Sequence, residues 1–171
     1  MNKFDIVRYL QFEKDAEKLG WSEDMICDAD VRLPKRATVQ SAAYDFFSPY
    51  NFIIHPGWDI TIPTGIKVQL DPGYFLMLVP RSSLGFKYNI CLANTVGIID
   101  ADYYNNLGNE GHIMVKLVNR GDNDYCLRAG DAFCQGIILP YAITEDDDTV
   151  EKRIGGLGST SDDDEDFMEK V

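Results

Sequence analysis

The chain has 171 residues, 45% of them hydrophobic, enough to bury the core of a single domain. Its formal net charge of −12 repels nucleic acid and anionic membrane over long range, yet a pocket with its own local field can still take a small anionic ligand. No apolar run reaches the ~18 residues of a membrane-spanning helix. The start, Met1-Asn2-Lys3-Phe4-Asp5, lacks the apolar stretch of a signal peptide. A soluble, cytoplasmic protein is expected. Four cysteines (Cys27, Cys91, Cys126, Cys134) contain no C-x-x-C pair, and His55 and His112 are the only histidines. This gives little support to a zinc site and predicts reduced cysteines that serve packing.

In chain order, Phe12, Ala16 and Leu19 fall at helical spacing and predict a short N-terminal helix over 11–19. Ile66, Val68 and Leu70 alternate with Lys67 and Gln69, the pattern of a half-buried strand. Phe75 to Val79 is a continuous apolar run, the pattern of a strand buried on both faces. Ile113, Val115 and Leu117 alternate again, and Phe133 to Leu139 is a second apolar run. Asp71-Pro72-Gly73, Asn119-Arg120-Gly121-Asp122 and Ala129-Gly130-Asp131 separate them as turns. Many short strands at close spacing predict an all-β jelly roll. From about Glu145 periodicity stops, and acidic runs (Glu145 to Asp148, Asp162 to Asp166) flank a glycine-rich stretch. The expected division is a β domain over 1–150 and a flexible C-terminal arm with an acidic tail over 151–171.

Four segments are more polar than a β scaffold requires. Pro80-Arg81-Ser82-Ser83-Leu84-Gly85 puts a guanidinium and two hydroxyls on one expected turn, a grouping that collects anionic oxygens; the plain alternative is a surface turn. Asn94 to Tyr103 ends in Asp100-Ala101-Asp102-Tyr103. In an extended segment the two carboxylates face the same way, as a metal ligand or general base requires, whereas an isolated pair is more often a solvated turn. Gly130 to Gln135 is a turn leading into a strand that aims Gln135 at one point. Arg153-Ile154-Gly155-Gly156-Leu157-Gly158-Ser159-Thr160-Ser161 can wrap a phosphate chain with backbone N–H groups, or can be a linker. It lacks the G-x-x-x-x-G-K-[ST] pattern of a P-loop.

Together with Ser41-Ala42-Ala43-Tyr44-Asp45, and in this order, the segments resemble the five motifs of the trimeric dUTPase family. The resemblance implies a Mg²⁺-dependent dUTP diphosphatase, of cellular or phage origin, yielding dUMP and pyrophosphate. By limiting dUTP it would keep uracil out of DNA, and its dUMP would supply dTMP synthesis. It also implies a homotrimer whose sites are shared: motifs one, two and four from one chain, motif three from a second, the arm from a third. Asp100 is then the general base for the attacking water. Ser82 bonds the oxygen bridging the α- and β-phosphates, and Gln135 an α-phosphate oxygen. Arg81 and Arg153 bind the terminal phosphate, with Ser83 on the same phosphate-binding turn as Arg81. Asn94 and the main chain of Gly97, Ile98 and Ile99 read the uracil edge. Tyr103 packs under the deoxyribose and excludes a 2′-hydroxyl. Leu157, Gly158, Ser159 and Thr160 form the lid, and Asp45 reaches Mg²⁺ through water.

Several positions depart from the family pattern. Ala43 and Ser161 stand where glycine is usual, Ala132 where a basic residue is usual, and Leu157 where phenylalanine stacks on uracil. Tyr104 to Gly111 is longer than in the shortest members and is expected to protrude. Two rivals are a dCTP deaminase, which needs a glutamate at the base and finds only Glu110 nearby, and a dUTP-sensing protein that binds a regulatory partner.

Overall fold

The computed structural model describes residues 1–151, 153 and 155. Leu157, Gly158, Ser159 and Thr160 lie outside the described residues, as does most of the expected arm. Among the described residues no helix is long and apolar enough to cross a membrane.

The chain opens with β1 (Lys3–Ile6), α1 (Tyr9–Lys18) and α2 (Glu23–Cys27). One face of α1 buries Phe12, Asp15 and Ala16, the i, i+3, i+4 stripe that a packed helix presents. The expected Leu19 is instead an exposed C-cap residue, and the carboxylate Asp15 takes a place in the interior. Ser22 caps α2 by accepting the Met25 N–H at 3.3 Å. Strands β2 (Lys35–Arg36), β3 (Tyr44–Phe47), β4 (Phe52–Ile54), β5 (Asp59–Pro63), β6 (Ile66–Gln69) and β7 (Tyr74–Pro80) follow. Next come α3 (Ser82–Tyr88), β8 (Ile90–Leu92), β9 (Gly97–Ile99), a 3-10 turn over Ala101–Tyr103, β10 (Met114–Asn119), β11 (Tyr125–Leu127) and β12 (Ala132–Pro140).

Every strand pairing is antiparallel. A five-stranded sheet in the order β2-β3-β12-β7-β9 and a three-stranded sheet β5-β10-β8 are accompanied by the pairs β1-β6 and β11-β4. Their inner faces share one core. Phe46, Leu76, Leu78 and Phe133 come from the first sheet, and Ile62, Ile90, Leu92, Val115 and Leu117 from the second. Gly136 on β12 lets the strands close up, because a Cβ there would stand 2.8 Å from the Phe46 ring and 2.9 Å from Leu76. This is the expected all-β, jelly-roll architecture.

Three expectations are corrected by packing. The run 75–79 is buried on one face only: Leu76 and Leu78 enter the core, while Phe75, Met77 and Val79 remain partly exposed on the other side. The residues after Pro80 form a helix rather than a turn, because Leu84 is drawn into the core and Asn89 ends the helix in left-handed backbone (φ 55°). Of the cysteines, all free, only Cys134 is buried, with burial pushing its thiol up to about 12; Cys91 is half-buried, and Cys27 and Cys126 are exposed.

Candidate active site

Strand register gathers motifs one, two and four. Gln135 on β12 lies across from Asp45 on β3 and from Val79 on β7. Side chains opposite each other in register share a face, and Arg81 continues the alternation of Phe75, Met77 and Val79. Asp45, Gln135 and Arg81 therefore meet at one end of the outer face of the five-stranded sheet. Gln135 Nε2 donates to Asp45 Oδ1 at 2.9 Å, and Arg81 Nε stands 3.4 Å from the same oxygen. Asp45 is only 6% exposed. Ser82 and Ser83 follow as the first residues of α3.

Motif three lies at the opposite end. Strand β9 pairs with β7 through Leu76↔Ile99, Met77↔Ile98 and Leu78↔Gly97. Asp100 therefore falls beside the start of β7, while Arg81 and Ser82 lie past its finish. At ~3.3 Å per residue the separation is on the order of 20 Å. Within one chain the general-base candidate and the phosphate-binding candidates do not meet.

Strand β9 is an edge strand: β7 covers one side, and among the described residues no strand pairs with its other row of backbone N–H and C=O groups. Beside it opens a pocket of about 320 Å³, lined by Asn94, Gly97, Ile98 and Ile99 together with Leu78, Leu92, Met114 and Lys116. The four residues expected to read a base thus share one cavity.

The carboxylate pair is placed differently from the extended arrangement expected. Asp100 keeps extended backbone (φ −76°, ψ 159°), but the chain then turns into the 3-10 segment that carries Asp102 and Tyr103. The Asp100 side chain makes no capping bond to that turn. Both carboxylates still converge on one group: Arg153 donates to Asp100 Oδ2 at 2.8 Å and to Asp102 Oδ1 at 3.0 Å, its guanidinium lying 5.6 Å from the Tyr103 ring centre. A guanidinium fork matches a carboxylate as it matches a phosphate, so the same geometry suits either anion.

Tyr103 is buried, and its phenol is pushed up by burial, against the Asn109 hydrogen bond and the Arg153 charge. Its hydroxyl donates to the His112 carbonyl at 3.1 Å and accepts from Asn109 Nδ2 at 2.8 Å. The stretch 104–111, expected to protrude, is tied down along much of its length. Asn106 and Asn109 bond its backbone from within, and Tyr104 donates to Asp5. Asn105, Leu107 and Gly108 are its exposed residues, Leu107 at 91%. Glu110 binds Arg8 and Lys67. Burial opposes its ionisation, yet these bonds hold its carboxyl below the usual glutamate range.

Compared with known proteins, residues 29–161 match the dUTPase family model. This chain belongs to the dUTPase family. The deoxyuridine 5′-triphosphate nucleotidohydrolase of Lactococcus lactis is 38% identical over 135 residues, 78% of this chain and 90% of that protein. The Bordetella pertussis protein of the same name is 38% identical over 145 residues, covering 79% and 93%. The crystal structure of the Streptococcus mutans dUTPase superposes with a TM-score of 0.65 at 32% identity, over 83% of this chain and 98% of that one. The features of this dUTPase that sequence reasoning missed are Asp15, His112 and Asn109 around Tyr103. Their one signal was a carboxylate on the apolar stripe of α1.

Proposed function

We propose that this dUTPase hydrolyses dUTP to dUMP and pyrophosphate in a homotrimer with shared active sites, acting in the cytoplasm. The observation that carries the reading is the position of Asp100, at the end of a free-edged strand lining a pocket of ligand size. The free edge of β9 offers uracil alternating donors and acceptors, helped by Asn94. Cytosine would leave those buried groups mismatched, a loss that can reach ~10⁴–10⁵-fold. Asp100 takes a proton from the water that attacks the α-phosphorus, and Tyr103 packs under the deoxyribose. Thymine keeps the pattern but adds a methyl that a close-fitting strand must reject sterically.

The phosphates go to the other cluster. Arg81 pairs with the terminal phosphate, with Ser83 beside it, and Gln135 with an α-phosphate oxygen. Ser82 donates to the bridging oxygen, where charge grows as the bond breaks. Since Asp100 and Ser82 of one chain lie on the order of 20 Å apart along β7, the two clusters come from different copies. The outer sheet face supports this: between the clusters it carries Phe75, Met77, Val79, Ile98, Ile137 and Leu139, an apolar strip suited to a second copy. The arm of a third copy then brings Arg153 to the phosphates.

Asp45 suits outer-sphere binding of Mg²⁺. Both contacts from Gln135 and Arg81 go to Oδ1, and a lone buried carboxylate fits an ion held mainly by waters and phosphate oxygens. When bound, Mg²⁺ neutralises phosphate charge. Exposed free thiols at Cys27 and Cys126 suit a reducing compartment. Glu110, engaged by Arg8 and Lys67, is poorly placed for the proton shuttling of a deaminase. The test is pyrophosphate release across dUTP, dTTP, dCTP and UTP with Mg²⁺, alongside ammonia release from dCTP. Turnover confined to dUTP is expected; ammonia from dCTP would overturn the assignment.

A further inference from the structure

The family match begins at residue 29, so α1 precedes it. This helix is nevertheless linked, through His112, to Tyr103 at the end of motif three. Asp15, 5% exposed, accepts at Oδ2 from His112 Nδ1 at 2.8 Å and from Gln11 Nε2 at 2.8 Å. His112 is fully buried, and its Nε2 accepts the Gly65 backbone N–H at 2.8 Å. A backbone N–H can only donate, so Nε2 carries no proton, and the neutral ring donates from Nδ1 to Asp15. Phe12 packs against the ring at 5.9 Å between centres. Held at both nitrogens, the imidazole cannot turn, and its residue's carbonyl is fixed in turn. That carbonyl accepts from the Tyr103 hydroxyl at 3.1 Å and from Asn109 Nδ2 at 3.1 Å. The Tyr103 N–H donates to the Asp100 carbonyl at 3.1 Å, completing the path.

We propose that Asp15 is a positioning residue for dUTP hydrolysis: through His112 it fixes the Tyr103 ring beneath the sugar and so sets discrimination between deoxyribose and ribose. The inference rests on the proposed role of Tyr103. A ring that shifts by a fraction of an ångström no longer meets the 2′ position closely, and the 2′-hydroxyl is then tolerated. Asparagine at position 15 keeps an oxygen facing His112 Nδ1 and the Gln11 amide. Alanine removes it and frees the ring.

The experiment measures kcat and KM for dUTP and UTP in the full chain and in the Asp15→Ala, Asp15→Asn, Tyr103→Phe and Tyr103→Ala variants. For Asp15→Ala the dUTP/UTP ratio of kcat/KM is expected to fall roughly tenfold, mainly through a lower KM for UTP. Asp15→Asn is expected to restore it. A ratio unchanged in Asp15→Ala, with a lowered melting temperature, makes the contact purely structural and overturns the inference. If Asp15→Ala does not fold, Tyr103→Phe decides, because the path to the ring passes through that hydroxyl: a lowered ratio supports the inference and an unchanged one overturns it. Tyr103→Ala separates the two ideas. If it leaves the ratio intact, the sugar role of Tyr103 fails; if it collapses the ratio while Asp15→Ala does not, only the inference fails.

Discussion

Gln135 and Asp45 face each other across the β12–β3 ladder, and the amide of one donates to the carboxylate of the other at 2.9 Å. With Arg81 on the same oxygen, Asp45 is oriented before any ligand arrives. Its Oδ2 is the atom suited to a water of hydrated Mg²⁺. For Asp45→Asn, which keeps shape and loses charge, the Mg²⁺ concentration for half-maximal rate is expected to rise about tenfold or more, as for other outer-sphere contacts. A Mg²⁺ titration at saturating dUTP checks this, and an unmoved midpoint places the metal elsewhere.

Asp100→Asn is expected to lower kcat by ~10²–10⁴-fold, the usual contribution of a general base. Affinity for a non-hydrolysable dUTP analogue should stay nearly constant, because the amide keeps the shape of the side chain. Single-turnover pyrophosphate release beside equilibrium binding separates the two. A fall of less than about tenfold moves the base to another group.

Shared sites predict complementation. An Asp100→Asn chain and a chain truncated before Arg153, each inactive, should regain activity when subunits exchange, since some mixed sites receive both intact parts. A silent mixture, with exchange verified by mass, argues that each chain builds its own site.

Asp15 links stability to pH. Burial raises the pKa of its carboxyl, but the His112 and Gln11 hydrogen bonds outweigh that and leave it below the ordinary aspartate value. Its contribution is therefore complete above the unfolded pKa of about 3.9 and is lost as pH falls through the lower folded value. The melting temperature of Asp15→Asn should fall less steeply than that of the parent chain in this acid window. Parallel curves would mean that Asp15 is not the linked group.

Gly111 holds a left-handed backbone (φ 79°), and a Cβ there would stand 2.5 Å from the Tyr103 carbonyl oxygen. Gly111→Ala combines that clash with backbone strain of about 1–3 kcal/mol. Loss of stability together with reduced dUTP affinity is expected in thermal melts and binding assays. A neutral variant would show that the loop can relax without disturbing Tyr103.

Much of the scaffold was legible in the sequence. Alternation located the strands holding Ile66, Val68, Val115 and Leu117, and two apolar runs located β7 and β12. The outer face of β7 misled for a physical reason: Phe75, Met77 and Val79 read as buried because they are apolar, while the cover proposed for them comes from other copies. The helix α3 was hidden because a single buried Leu84 among serines and a glycine gives no period. At the site, Asp45, Arg81, Gln135 and the β9 pocket could be anticipated as groups, since motif order survives in the chain. Asp15 and His112 could not. A buried polar pair 97 residues apart leaves no joint pattern, and the one local signal, a carboxylate on the apolar stripe of α1, does not name its partner.

The open edge of β9 also bears on solubility. Unpaired strand edges template pairing with other chains, and proteins usually blunt them with charge or proline. Val96-Gly97-Ile98-Ile99 carries neither, and Ile98 is 52% exposed. If this edge must accept a base, it cannot be blunted without losing the ligand, so the recognition strand doubles as the adhesive strand. Nucleotide bound there shields the edge and stabilises the folded chain by mass action. Refolding yield and resistance to aggregation on heating should therefore rise with dUMP or a dUTP analogue in the buffer, and more so than with a cytosine nucleotide at the same concentration.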